Sequence, residues 1–489
     1  MNELKEFKGN IIGFIRSGVH PDNVLAYQKI LSEIGIEIFA VCEDKNEKEQ
    51  YDPSIKVYCL EDWLKENYDK VNTQDLKCYQ SKYSEYNLWE IYYTDRYIRY
   101  KYEYKDAVKL IILIVTFWEN LLESKKNVYI VSDCIIGVIN FIGMIVGKSM
   151  KIPYISMPTG RYKQYFTYFS LDEGYKNHVF EQLLLSGCPI TKEEIKEAEE
   201  YVKSYIKNKK QPSYMDSTVM ESRQISKTLI SYLKKIKNIS YLWDSRFKNK
   251  YDIHLYKGCK QRLDPLIEAV RKPIIQKFFH EPDYNEDYIL FPLHFQPEAS
   301  TCVYARKYEN QLYFIEQLTK SIPVGKILYV KEHFVRQGHK PLSFYKQVLK
   351  YPNVKLISPN VSTHDLIRHS SFLIVLTSTM AFEALMYGKS VFICGNCFFE
   401  NFSGVMKIQD VYDEKQKFLN PPVQDRELYI KQMAYYLKTL QLCTMQEEPL
   451  HEESPETLLR IQKTSMDQLI RFIARLKKQE LLEIDKSKL

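Results

Sequence analysis

The feature that most constrains the fold is a regular alternation of short apolar runs with helical patterns. In the C-terminal half, helical patterns separate apolar, β-rich runs that we predict to be strands. These predicted strands are residues 288–293, 326–331, 354–357, 372–376 and 390–394. Such alternation is typical of a parallel sheet that is covered by helices on both faces.

The N-terminal half shows the same alternation less clearly. Its predicted strands are residues 11–15, 36–42, 56–59, 128–131 and 152–156. A chain of 489 residues is too long for one ordinary core. We therefore predict an α/β protein with two doubly wound domains. The predicted domains are residues 1–280, which include helical insertions, 281–430, and a helical C-terminal segment at 431–489.

Composition suggests where the protein works. The ten cysteines follow no repeated spacing, and the first ten residues are polar and charged rather than a secretory signal, so we expect a cytoplasmic protein. Residues 128–147 are apolar, but Asp133 and Asn140 interrupt them, which favours a buried strand, a turn and a helix over a membrane span. The basic stretch at 203–262 suits either an anionic membrane face or a solvated helical surface. No recognition motif for nucleic acid accompanies this charge.

Aromatic residues make up 14% of the chain, with 39 tyrosines. In enzymes, such rings often stack on sugars or on bases. The codon bias of an AT-rich genome explains the excess equally well. Aromatic content therefore leaves the function open.

The first candidate cluster is Lys331-Glu332-His333, at the carboxyl end of a predicted strand. Ligands of doubly wound sheets bind beyond the carboxyl ends of the strands. A cation and an imidazole at this place can neutralise the phosphate of a departing nucleotide, and a protonated histidine can act as a general acid. A surface ion pair beside a hydrogen-bonded histidine is the structural alternative.

The second candidate cluster lies between the predicted strand at 372–376 and the helix that follows it. Hydroxyls such as those of Ser378 and Thr379 cap a helix and, with the unpaired N–H groups of its first turn, make an anion site. Glu383 lies four residues after Thr379, on the same helix face, where it can accept hydrogen bonds from ribose hydroxyls. Plain capping is the structural alternative.

Other candidates also follow predicted strands. Glu298 can serve as a nucleophile or a general base, or it can cap the next helix. In the N-terminal half, His20 is a catalytic candidate, and Arg16, Asp133 and Arg161 are candidates for contacts with an acceptor.

Several familiar motifs are absent from the sequence. No Gly-x-Gly-x-x-Gly occurs, so dinucleotide binding lacks support, and no Asp-x-Asp motif of metal-dependent transferases occurs. We therefore expect neither a metal nor a cofactor. Charge on a leaving group would then be stabilised by basic side chains and dipoles.

Residues 288–404 resemble the capsule polysaccharide synthesis family, which includes bacterial Kdo transferases. The matching runs are FPLHFQPEAS at 291–300, YVKEH at 329–333, PNVKLI at 352–357 and TST at 377–379, followed by Glu383-Ala384-Leu385, Gly388-Lys389 and Gly395-Asn396. Two departures stand out: Phe334 occupies a position where the family usually has proline, and Ser378 one where related sequences often have glycine. Since the His-Pro pair is typical of enzymes that bind CMP-sugars, Phe334 makes a CMP-linked donor less secure.

This resemblance implies a GT-B-like fold of two Rossmann-like domains that face a cleft. It implies a glycosyltransferase with a nucleotide-sugar donor, for which a CMP-linked sugar is one candidate, and a polysaccharide or lipid-linked acceptor. The basic stretch at 203–262 separately suggests a location at the inner face of the membrane. Lys331, Glu332 and His333 would meet the donor, Ser378 and Thr379 its phosphate, and Glu383 its ribose, while Glu298 would be catalytic. A CDP-glycerol-type polyol-phosphate transferase and a non-catalytic scaffold of polysaccharide assembly remain alternatives.

Overall fold

The first sheet contains five parallel strands in the order β3-β2-β1-β4-β5. Since β2 and β3 lie on one side of β1 and β4 and β5 on the other, this sheet is doubly wound. The strands are β1 (Ile11–Ile15), β2 (Glu37–Cys42), β3 (Val57–Cys59), β4 (Val128–Ser132) and β5 (Tyr154–Ser156).

Eight helices belong to this part of the described chain, together with a hairpin. The hairpin strands are β6 (Thr159–Tyr162) and β7 (Tyr165–Thr167). The helices are α1 (Pro21–Ser32), α2 (Lys45–Lys48), α3 (Leu60–Asn67), α4 (Leu76–Lys82), α5 (Leu88–Thr94), α6 (Tyr104–Glu123), α7 (Val138–Ser149) and α8 (His178–Ser186).

The second sheet contains six parallel strands in the order β10-β9-β8-β11-β12-β13. Its strands are β8 (Tyr288–Pro292), β9 (Ile327–Lys331), β10 (Val354–Ile357), β11 (Leu373–Val375), β12 (Val391–Ile393) and β13 (Val405–Lys407). Its helices are α9 (Lys192–Asn208), α10 (Cys259–Ile275), α11 (Ala299–Cys302), α12 (Gln311–Ser321), α13 (Leu342–Val348), α14 (Thr363–His369), α15 (Thr379–Met386) and α16 (Arg426–Cys443).

The last described elements are β14 (Met445–Gln446), which pairs with β7, and α17 (Pro455–Lys477). Helix α17 packs on α1, and its Gln462 side chain donates a hydrogen bond to Asn23, 2.9 Å away. Phe472 of α17 lies against Phe169, with 5.1 Å between ring centroids. The last helix therefore covers part of the core of the first sheet.

The structure is a computed structural model that describes residues 7–15, 21–99, 101–123, 125–162, 165–209, 259–335, 337–443, 445–446 and 455–477. These residues form two compact units. The first contains the described residues up to Cys188 and those from Tyr436 onward, and the second those from Pro189 to Tyr435.

The two parallel sheets confirm the predicted α/β fold with two Rossmann-like halves. The division into units differs from the predicted boundary at residue 280, because α9 and α10 belong to the second unit. The domain bounds at 1–280, 281–430 and 431–489, which were drawn by expected role, stay predictions.

Residues 128–147 form β4, a turn and most of α7, as predicted. Within the described part of the chain, no helix combines the length and the apolar character that crossing a bilayer requires. Most of the basic stretch at 203–262 lies outside the described residues, so its predicted membrane contact stays a prediction.

Candidate functional site

Three loops of the second unit leave its sheet at the same edge. Strand β8 lies between β9 and β11, and all three run in parallel. Pro292, at the end of β8, pairs with Lys331, at the end of β9. Because neighbouring strands lie about 4.8 Å apart, the segments after β8, β9 and β11 emerge within roughly 10 Å of one another. The two predicted clusters at 331–333 and 377–379 therefore flank the loop that begins at Leu293.

His294 connects the first and third of these loops. Its Nε2 accepts a hydrogen bond from the backbone N–H of Thr377, at 3.4 Å. Its own backbone N–H donates to the Gln311 side chain at 2.7 Å, and its carbonyl accepts from the same amide at 3.0 Å. Burial lowers the pKa of His294 to about 3, with smaller contributions from His333 and Lys340. The imidazole is therefore neutral, and it carries its proton on Nδ1. Sequence reasoning missed this link because nothing in the sequence pairs Gln311 with His294.

Lys331 is a buried cation at the end of β9. Only 5% of the residue is exposed, and its Nζ donates to the carbonyl of Pro359 at 3.0 Å. Burial lowers the pKa of Lys331 to about 8, while the carboxylates of Glu332 and Glu383 act in the opposite direction. The carboxylate of Glu383, on α15, is one of the two that favour the charged form of Lys331. The strand order places the ends of β9 and β11 on either side of β8, so the two predicted clusters lie at the same edge of the sheet.

The N-terminus of α15 completes this edge. Ser378 caps the helix, its Oγ accepting a hydrogen bond from the Met380 N–H at 3.2 Å. Thr377 donates from Oγ1 to the carbonyl of Ser300 at 3.0 Å, and Thr379 is the first helical residue. Glu383 lies one turn into the helix and is 8% exposed. The N–H groups of the first turn and the helix dipole make this end attractive to an anion.

Gly395 allows the loop after β11 to pack closely. A Cβ at this position would lie 2.6 Å from Cγ2 of Thr377 and 2.8 Å from the carbonyl oxygen of Tyr304. Real Cβ atoms do not approach this closely, so a side chain here would displace the loop that begins at Thr377.

His333 lies among aromatic side chains. Its ring stacks on Phe334 and lies 6.3 Å from the ring of Phe295, which in turn lies 5.8 Å from His339. Burial, with a smaller contribution from the nearby charge of Lys340, lowers the pKa of His333 to about 4. The imidazole is therefore neutral at pH 7, unlike the protonated histidine that we considered from the sequence. Phe295 belongs to the run at 291–300 that the sequence analysis singled out, whereas His339 was not identified from the sequence.

Glu332 is turned toward the protein interior. It is 3% exposed, and its Oε1 accepts hydrogen bonds from Lys340 Nζ at 2.6 Å and from the His333 N–H at 2.7 Å. Both contacts fix the segment that carries His333. In the structure Glu332 supports this segment, and its predicted contact with the donor stays a prediction.

Glu298 is exposed and stands immediately before α11. Its backbone carbonyl accepts hydrogen bonds from the N–H groups of Thr301 at 3.1 Å and Cys302 at 2.8 Å. Its carboxylate accepts from Ser300 Oγ at 2.9 Å and does not cap the helix. The carboxylate is therefore accessible to a ligand, as a base or nucleophile must be.

The candidates of the N-terminal half are less well defined. Arg16 and His20 lie outside the described residues. Asp133 follows β4 at the carboxyl edge of the first sheet, where its Oδ1 accepts a hydrogen bond from the Cys134 N–H at 2.7 Å. Arg161 belongs to β6. Nothing in these positions tests the predicted acceptor contacts.

Within the described ranges, no three His, Cys, Asp or Glu side chains lie close enough together to hold a metal ion. The expectations of metal independence and of no cofactor stay predictions.

A family model described as capsule polysaccharide biosynthesis protein matches residues 249–444. This match confirms the resemblance inferred from the motifs, and it includes the whole second sheet. A comparison with curated protein sequences gives no significant match.

Solved structures with distant likeness include two of KpsC from Thermosulfurimonas dismutans. Its β-Kdo 2,4 transferase is 14% identical, with 63% of this chain and 78% of that chain covered and a TM-score of 0.36. The β-Kdo 2,7 transferase is 12% identical, with 65% and 80% covered and a TM-score of 0.31. The UDP-GlcNAc 2-epimerase of Methanocaldococcus jannaschii is 9% identical, with 88% and 99% covered and a TM-score of 0.25. No property of this chain follows from likeness at this level.

Proposed function

Because residues 249–444 match the capsule polysaccharide biosynthesis family, we propose that this chain is a glycosyltransferase. It would take a sugar from a nucleotide-sugar donor and add it to a capsular or other surface polysaccharide, or to a lipid-linked precursor. The observation that carries the proposal is the strand order, which places Lys331, at the end of β9, and the N-terminus of α15, after β11, on either side of β8 at one edge of the second sheet.

In the proposed donor site, the phosphate of the nucleotide lies between Lys331 and the first turn of α15. The ammonium group and the N–H groups of the helix neutralise the charge that develops on the phosphate when the sugar leaves. The hydroxyls of Ser378 and Thr379 add hydrogen bonds to the phosphate oxygens. Because Lys331 is already buried, its contact with an anion is stronger than it would be in water.

Glu383 and His333 would contact other parts of the donor. A carboxylate accepts two hydrogen bonds readily, so Glu383 can hold both ribose hydroxyls. The neutral His333 can donate one hydrogen bond from its ring. A bound phosphate would favour the charged imidazolium and raise the pKa of His333 from about 4, which would prepare it to protonate the leaving phosphate.

Glu298 is the proposed general base. The hydroxyl oxygen of the acceptor attacks the anomeric carbon, the bond from that carbon to the phosphate oxygen breaks, and the hydroxyl proton passes to the carboxylate. The exposure of this side chain supports the role, since an acceptor hydroxyl must reach it. We propose in addition that the donor is CMP-linked and that the protein acts at the inner face of the membrane.

Calorimetry with CMP, UDP, GDP and CDP-glycerol tests the donor site. Lys331→Met keeps the apolar stem of the side chain and removes its charge, so we expect the affinity for the preferred nucleotide to fall at least tenfold. Lys326→Met is the matched control, because Lys326 precedes the opposite end of the same strand, where it pairs with Asp287 at 2.6 Å. Equal affinities of the two variants would refute the donor site.

Product analysis tests the reaction. A new glycosidic linkage on the acceptor supports a glycosyltransferase, whereas a phosphodiester linkage would identify a polyol-phosphate transferase instead. If the wild-type protein bound none of the nucleotides, it would be a scaffold. Glu298→Gln should abolish transfer while leaving nucleotide affinity within twofold of the wild-type value.

A further inference from the structure

The first unit carries a group of exposed rings that the proposed donor site does not use. The indole of Trp89 on α5 lies 5.7 Å from the ring of Tyr104, with 25° between the ring planes, and 6.2 Å from the ring of Tyr93, with 31° between them. Tyr93 is 48% exposed and Tyr104 is 74% exposed. We call these three residues the aromatic platform.

The platform is tied to the carboxyl edge of the first sheet. Asp95 follows Tyr93 by two residues, and its Oδ1 accepts hydrogen bonds from the N–H groups of Tyr97 at 2.8 Å and Ile98 at 3.1 Å. Its Oδ2 accepts from the N–H of Val138, the first residue of α7, at 3.2 Å. Since α7 follows β4, this bond places the segment after α5 near the end of β4, where Asp133 also lies.

Gly137 permits this attachment. A Cβ at residue 137 would lie 2.6 Å from Oδ2 of Asp95, which is too close for any other residue type without movement. The segment between Tyr93 and Tyr104, which contains Asp95, is therefore attached to the start of α7 at a defined position. Ligands of doubly wound sheets bind beyond this edge, and Asp95, which follows α5 directly, is bonded to the start of α7 there.

Cationic side chains accompany the rings. The guanidinium of Arg96 lies 5.0 Å from the ring of Tyr97, and the ammonium of Lys101 lies 5.1 Å from the ring of Tyr102. The Nε atom of Arg96 is buried without a hydrogen-bond partner among the described residues. Arg99 and Lys105 add further positive charge to the same segment. The surface thus combines ring faces with groups that attract carboxylates.

We propose that the aromatic platform and the cations of residues 96–105 bind an anionic glycan chain as the acceptor. This inference rests on the proposed function, whose acceptor it specifies. The C–H faces of a pyranose carry partial positive charge and pack on the negative faces of aromatic rings, while the guanidinium groups bind carboxylates of the sugars. Insertion of the platform into a bilayer would bury the charged side chains of Glu90 and Glu103 beside it, which is costly, so the surface does not favour a membrane.

The test measures binding of short polysialic acid, hyaluronan and heparosan oligosaccharides by quenching of tryptophan fluorescence, with neutral dextran of equal length for comparison. The variant carries Tyr93→Ala and Tyr104→Ala, both at exposed positions. Tyr313→Ala is the control, since Tyr313 is 50% exposed on α12 of the second unit. We expect the double variant to lose at least tenfold in affinity for the acidic oligosaccharide that binds best, and the control to change less than twofold.

Arg96→Gln should weaken the same binding and reduce its dependence on salt. The proposal is overturned if the wild-type protein binds none of the acidic oligosaccharides, if dextran binds equally well, or if the double variant binds like the wild type. Loss of binding to phosphatidylglycerol vesicles in the double variant, with glycan binding unchanged, would identify a membrane surface instead. Nucleotide affinity, measured in parallel, reports on the proposed donor site separately.

Discussion

His294 and Thr377 are joined by a hydrogen bond across two neighbouring strand ends, with 3.4 Å between the imidazole Nε2 and the backbone nitrogen. The acceptor nitrogen must be unprotonated, and the low pKa of His294, about 3, keeps it so at every physiological pH. The side-chain amide of Gln311 accepts a hydrogen bond from the His294 N–H and donates one to the His294 carbonyl. The loop that leads into α15 is therefore positioned by a buried neutral side chain, without any contact of that side chain with the proposed donor.

We expect His294→Ala to lower nucleotide affinity at least tenfold and to destabilise the fold. The Thr377 N–H is only partly buried, so leaving it without this partner costs about 1 kcal/mol, the lower end of the range for an unsatisfied buried group. His294→Gln should restore much of the nucleotide affinity and of the stability, because the glutamine Oε1 can reach the position of Nε2. The asparagine side chain is shorter, so His294→Asn should restore neither. Calorimetry and thermal denaturation give the two quantities. Wild-type affinity in the alanine variant would show that this bond does not position the site.

Lys331 should make nucleotide binding depend on pH. Because the pKa of Lys331 is lowered to about 8, its charge is complete near pH 6.5 and is lost as pH rises above 8. We expect the affinity for the preferred nucleotide to stay constant up to about pH 7.5 and then to fall, by at most tenfold per pH unit. Binding at pH 8.5 should take up protons, which calorimetry in buffers of different ionisation enthalpy detects. Lys331→Met should bind weakly at all these pH values, and a persistent pH dependence in it would assign the effect to another group.

Two serines that cap helices of the second unit allow an effect on protein stability to be distinguished from an effect on nucleotide binding. Ser378 caps α15 and Ser362 caps α14, each through an Oγ that accepts a backbone N–H. Replacing either serine with alanine should destabilise the protein by about 1 kcal/mol, since both lose a cap. Only Ser378→Ala should also weaken nucleotide binding, because only this hydroxyl faces the proposed phosphate. Equal nucleotide affinities in the two variants would remove Ser378 from the donor site.

Gly395→Ala should destabilise the second unit by about 1–3 kcal/mol, because its new methyl group has no room beside Thr377. It should also weaken nucleotide binding, since the loop after β11 must move. Adding Thr377→Ser removes Cγ2, the nearest of the clashing atoms, and should recover part of both losses. Thermal denaturation and calorimetry of the single and double variants measure this coupling. Strictly additive effects would mean that the two residues do not interact.

The strands of both sheets could be predicted because buried parallel strands are continuous apolar runs. Residues 354–357 were predicted with the bounds observed for β10, and the predictions for β8, β9, β11 and β12 differ from the observed strands by one residue at one or both ends. Strand β13 was not predicted. Helix α14 was missed because it is short and polar. The pairing of β7 with β14 was missed because it joins residues far apart in sequence, and no local pattern specifies such a contact.

The candidate site was predictable to the extent that its residues end strands or begin helices. Lys331 and Ser378 were identified in this way, and Glu383 by its helical spacing from Thr379. The support around them was not predictable, because Gln311 meets His294 only through folding. Burial likewise determines the neutral state of His333 and the inward direction of Glu332, and burial of a single polar side chain cannot be inferred from its neighbours in sequence.

Helix α17 is the last described element of the chain, yet it packs against α1, one of the first. On the ribosome, the first sheet is synthesised long before the helix that shields part of its core. At synthesis rates of about 5–20 residues per second, the interval between the end of β5 and the end of α17 is tens of seconds. The N-terminal unit must therefore remain incomplete throughout that time, with apolar surface available to chaperones, and a truncation before residue 455 would leave it so permanently.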